Sequence, residues 1–123
     1  MNIKTWITTK LLADSTFTTA IGGTSHFFYG YPNSFSTLPV VAYSESGHST
    51  TGYFDDASTA VESALTFDIY NTTSTSSIFD ALASVMAANL FNLDFSTDLY
   101  ETDAKMHHKT ARFRRTVRSE DLV

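Results

Sequence analysis

Between Val61 and Tyr70 the side chains alternate. Leu65, Phe67 and Ile69 fall on one side, and Ala64, Thr66, Asp68 and Tyr70 on the other. A period of two belongs to a β-strand, and a strand apolar on one side only needs a sheet with one covered face. A second stretch, Lys105 to Arg118, repeats the pattern. Ala111, Phe113 and Val117 share one face, opposite Arg112, Arg114, Thr116 and Arg118. The cover for such a sheet has to come from amphipathic helices.

Two segments supply them. In residues 2–13, Ile3, Trp6, Ile7 and Leu11 follow helical spacing, with Asn2 as a cap and Trp6 on the inward face. From Ser77 to Leu90, Ile78, Leu82, Val85, Met86 and Leu90 form one stripe among helix-favouring alanines, and Ser77 with Asp80 resembles a capping box. Asp14 or Ser15 caps a shorter helical turn through Phe17 and Ile21, which Gly22-Gly23 ends. Ser25 to Tyr29 reads as a strand. Pro39 opens another, Val40 to Glu45, and Phe91 to Tyr100 reads as a bend and a strand. Gly47 to Ala57 reads as a long hairpin tip or arm. The expected fold is α+β: a mainly antiparallel β-sheet with two helices packed on one face, in a single domain spanning residues 1–123.

Composition narrows the function. The chain has no cysteine, which excludes disulfides, thiol nucleophiles and thiolate metal ligands. No apolar run is long enough for a membrane span, and residues 1–13 lack the pattern of a signal peptide, so the expected address is the cytoplasm of the producing cell. His26, His48, His107 and His108 have no metal-site spacing, and adjacent His107 and His108 point to opposite faces of a strand. Asp55-Asp56 is too sparse for a calcium loop. Neither a nucleophile elbow nor a phosphate-binding glycine loop is present. The expectation is no catalytic residue, no cofactor and no metal.

Charge is segregated. Lys105, Lys109, Arg112, Arg114, Arg115 and Arg118 occupy a stretch without an acid, whereas the preceding residues hold only Lys4 and Lys10 against many carboxylates, within a net charge of −5. Such a basic stripe serves an exposed sheet face, pairing with a neighbouring subunit, or phosphate contact. The overall negative charge disfavours specific nucleic-acid recognition. Arg112, Arg114 and Arg115, together with Tyr53 and Phe54 in the 47–57 segment, are the expected interface residues.

The layout also resembles a family. Leu11-Leu12-Ala13-Asp14-Ser15 through Ile21-Gly22-Gly23, then Phe27 to Tyr31-Pro32 and Leu38-Pro39-Val40-Val41-Ala42-Tyr43, resemble the tail-terminator, or tail-to-head joining, subunits of siphophages and related prophages. The strand Leu65 to Tyr70, a polar linker into a helix, and the closing Ala111 to Val117 strand continue the resemblance in order. It implies a virion protein of the head–tail interface. Such a subunit forms a hexamer-like ring on the tail tube protein, docks to a head-side connector or stopper, and leaves a lumen through which DNA passes unbound. Two alternatives accompany it: another head–tail connector such as a stopper or adaptor, and an unrelated small binding module or an enzyme with a dispersed site.

Overall fold

The computed structural model describes residues 3–30, 38–54 and 57–118, without the side chains of residues 3, 46–61 and 117–118. Helix α1 (Ile3–Ala13) leads directly into helix α2 (Ser15–Ile21). The junction is Asp14, whose carboxylate accepts the Phe17 amide at 2.8 Å and so satisfies one of the free donors at the start of α2. Gly22 ends α2 in the left-handed conformation at φ 88°. A short 3-10 turn, Thr24–His26, follows, so the expected strand from Ser25 begins later, as β1 (Phe27–Tyr29). The turn holds because the His26 amide bonds back to Gly23 and the His26 ring Nδ1 donates to the Pro39 carbonyl at 2.6 Å.

Strand β2 (Val40–Phe54) and strand β3 (Ala57–Asn71) form one long antiparallel hairpin. The segment expected as a hairpin tip is therefore mostly paired strand: Thr50 opposes Val61, and Tyr53 opposes Ser58. Its Thr, Tyr and Phe residues suit the extended backbone. Helix α3 (Ser76–Ala88) comes next, then strands β4 (Asn92–Glu101) and β5 (Met106–Arg118). The sheet order is β1-β2-β3-β5-β4, with β1 parallel to β2 and every other pairing antiparallel.

All three helices contribute to one core. Ile7 and Leu11 of α1, Phe17 and Ile21 of α2, and Ile78, Leu82 and Met86 of α3 are buried with Val41, Leu65, Phe67, Ile69, Ala111 and Phe113 of the sheet. Each such large apolar residue contributes roughly 1.5–3 kcal/mol on leaving water. The registers Leu65↔Phe113 and Phe67↔Ala111 place the two alternating strands in phase, as their sequences require. Trp6 is only half-buried and packs at the rim of this core. A smaller cluster of Val40, Tyr70 and Met106, with Phe28 and Leu38 against it, sits on the opposite face.

The second amphipathic helix differs from expectation at both ends. Its cap is Thr75, which makes no side-chain capping bond, so the Ser77–Asp80 box does not form. The linker before it is organised by Asn71, whose amide donates to the Ser74 carbonyl at 2.9 Å. At the other end Leu90 leaves the stripe. It adopts φ 67° and is exposed, while Phe91 is buried and donates its amide to the Met86 carbonyl. The physical reason is the Asn89 side chain, which donates to the Val85 carbonyl at 2.8 Å and caps the last turn before Leu90. Among the described residues no helix is long and apolar enough to cross a membrane.

Candidate functional site

The face of the sheet away from the helices carries the polar chemistry of the molecule, in two clusters that each span three strands. The first centres on His108 of β5. Its Nε2 lies 2.8 Å from Asp68 Oδ1 on β3, and its Nδ1 lies 3.1 Å from Glu101 Oε1 on β4. Thr110 donates to the same Asp68 oxygen at 2.8 Å, and the Tyr70 ring stacks on His108 with centroids 4.2 Å apart. The ring thus sits between two carboxylates from different strands, with one nitrogen facing each. The carboxylates sit at opposite ends of the ring. Among the described residues no three His, Asp or Glu side chains are gathered to hold one metal ion. A cleft of about 500 Å³ opens beside the cluster, lined by Tyr70, Tyr100, Glu101 and Met106 among others.

The second cluster explains part of the basic stripe. A register shift between Leu93 and Phe95 makes Asp94 the extra residue of a bulge in β4. Arg112 Nε donates to Asp94 Oδ2 at 2.7 Å, Arg114 Nη2 reaches the same oxygen at 3.3 Å, and Arg114 Nη1 donates to Glu62 of β3. The bond from Arg112 holds the Asp94 carboxyl below the usual carboxylate range against the desolvation that opposes it, with Arg114 adding to the effect. Glu62, followed by Asp94, raises the Arg114 guanidinium above its ordinary value.

The cations expected to form one stripe are divided between the two faces. Arg112 and Arg114 lie on the open face, whereas Lys109 and Arg115 lie on the helix side, as strand alternation requires. Lys109 bonds Asp98 at 3.2 Å with its ammonium 4.5 Å from the Phe79 ring centroid, and the Arg115 guanidinium lies 5.1 Å from the Trp6 ring centroid. Arg112 and Arg114 thus meet acids of their own chain. Tyr53 and Phe54 are placed at the far end of β2, and their side chains lie outside the described residues. His107 and His108 point to opposite faces, as the sequence predicts, with His107 against Tyr100 on the helix side.

The His108 clamp and the Asp94 bulge were both missed from sequence. Asp68 and His108 are 40 residues apart, and Glu62 and Arg114 are 52 apart. Only the β3–β5 register brings them together, and the nearest signal was the like phase of the two alternating strands.

No protein-family model matches this sequence, and no curated protein sequence matches it. Among solved structures, a chain in the virion of the native gene transfer agent (GTA) particle is similar, with a TM-score of 0.64 and 15% identity, covering 92% of this chain and 92% of that chain. The two chains share one α+β fold along nearly their whole lengths.

Proposed function

We propose that this chain is a structural protein of a phage-like virion, a ring-forming tail terminator that caps the tail tube and joins it to the head-side connector. The observation that carries the reading is the fold held in common with a virion subunit over 92% of both chains. The order of sequence elements that resembles the tail-terminator family supports the finer assignment. So does the sheet, in which the ten-residue β4 is a terminal strand among the described residues. In this reading the chain works by assembly. It performs no catalysis, takes no cofactor, partners copies of itself, tube protein and connector, and lets DNA pass a lumen without specific binding. Repulsion between carboxylates and phosphates keeps such a channel non-adhesive.

The test is native mass by light scattering across a concentration series, then negative-stain imaging alone and with purified tail tubes. A ring of about six copies, or decoration of one tube end only, is the expected result. Binding to connector rings but never to tubes transfers the protein to the stopper or adaptor class. A monomer that binds neither overturns the proposal.

A further inference from the structure

We propose that the surface formed by Trp6, Lys10, Leu90, Leu93 and Arg115 is the patch by which one copy of this chain docks onto an acidic surface of the next. The inference deepens the assembly reading above and rests on it for self-association.

Of the arginines expected at an interface, Arg112 and Arg114 are engaged by Asp94 and Glu62, and Arg115 is not. Its guanidinium lies 5.1 Å from the Trp6 ring centroid, and the Lys10 ammonium lies 5.8 Å from the same centroid. Among the described residues neither cation forms an ion pair with a carboxylate. Trp6 is half-buried, so its ring is open to a partner as well. Two hollows join this trio to the corner between α3 and β4. One of about 150 Å³ is lined by Arg115 and Leu93, and one of about 270 Å³ by Lys10 and Asn89, the neighbour of Leu90. The carboxylates beside these hollows are already engaged, Asp14 by the Phe17 amide and Asp94 by Arg112 and Arg114. Leu93 is 50% exposed and Leu90 69%. Leu90 stands where helices commonly place Gly, with φ 67° just past α3, while the Phe91 amide closes onto the Met86 carbonyl. That backbone disfavours a residue with a Cβ. The isolated fold gains nothing from a strained, exposed Leu, whereas a partner that covers it does.

Exposed Leu beside Trp and Arg is the composition of a protein-binding surface. Aliphatic side chains offer a DNA backbone nothing, and a chain of net charge −5 is repelled by phosphates. Charge complementarity selects a second copy. The chain holds 13 Asp and Glu against 8 Lys and Arg, so the rest of a copy is acidic relative to this patch. Two exposed carboxylates form no ion pair among the described residues: Asp80 near the start of α3, and Asp103 in the β4–β5 turn, which also carries Lys105. The patch lies at the other ends of these elements, with Leu90 beyond the end of α3 and Arg115 near the end of β5. Two patches meeting across a two-fold axis would set Lys10 and Arg115 against their own copies, and like charges across an interface are disfavoured. The contact is therefore head-to-tail. Head-to-tail contacts that close produce rings.

Two variants test the patch. Leu90→Gly suits the left-handed backbone, so it leaves thermal stability unchanged or raised while weakening self-association about tenfold or more. Lys10→Glu, at an exposed position, keeps native circular dichroism and weakens self-association to a similar degree. Self-association is read by light scattering across a concentration series, and by imaging on tail tubes if rings form only there. Retardation of duplex DNA and pelleting with tail tubes are measured in parallel. Unchanged self-association of either variant, while the parent protein forms rings, overturns the patch and leaves the ring reading standing. Intact rings with only DNA retardation lost, or with only tube binding lost, overturn the second copy as occupant in favour of DNA or of the tube protein. A parent protein that forms no oligomer, alone or on tubes, removes both inferences.

Discussion

Replacing His108 with Phe separates the hydrogen bonds of the three-strand clamp from its packing. The aromatic ring keeps its place over Tyr70, where the present stack has centroids 4.2 Å apart, and only the two nitrogens are lost. The bond to Asp68 joins a ring that is 13% exposed to a carboxylate that is 29% exposed, and belongs near the lower end of the roughly 1.5–3 kcal/mol range for bonds to charged groups. The Glu101 carboxylate is 45% exposed and rehydrates readily, so its bond contributes about 0.5 kcal/mol. Asp68 retains its Thr110 partner, which limits the penalty of leaving it behind. The expected cost is about 2 kcal/mol, which for a domain of this size lowers Tm by roughly 6–10 °C. Urea unfolding measures it as a shift in midpoint at constant slope. A cycle with Asp68→Asn should recover a coupling of about 1 kcal/mol. A loss below about 0.5 kcal/mol, or no coupling to Asp68, would mean that water replaces the clamp at little cost and that backbone pairing alone holds the three strands together.

Two further outcomes follow from the same structure. Phe67 is fully buried and meets Phe113 edge-on at 6.0 Å, so Phe67→Ala should cost about 3–5 kcal/mol in chemical denaturation; a cost near 1 kcal/mol would indicate a core that collapses into the space. Asp94 has a folded-state pKa depressed chiefly by its hydrogen bond from Arg112, so its contribution is present above the ordinary carboxylate range and is lost as pH falls through the lower folded value. The stability difference between wild type and Asp94→Asn should therefore shrink as pH is lowered through that window in urea titrations, and a difference independent of pH would refute the ion-pair account.

Local pattern alone determined the layers of this protein. The period-two runs at Leu65 to Tyr70 and Ala111 to Arg118 and the helical stripes of α1 and α3 each say which side faces the core, because burial acts on residues two, three or four apart. The stop at Gly22-Gly23 and a cap at Asp14 or Ser15 were legible for the same reason, since both act within one turn, and the structure selects Gly22 and Asp14. Tertiary structure decided what depends on partners distant in sequence. The β3–β5 register put His108 between Asp68 and Glu101. A one-residue bulge at Asp94 placed Phe95 on the open face with Leu99, where unbroken alternation from Leu93 would have sent it to the helix side. Alternation likewise split the cationic stretch, and Arg112 and Arg114 pair with Asp94 and Glu62 of their own chain. Strand pairing is fixed by the free energy of the whole sheet, and one strand read alone does not reveal which residue will lie across from it.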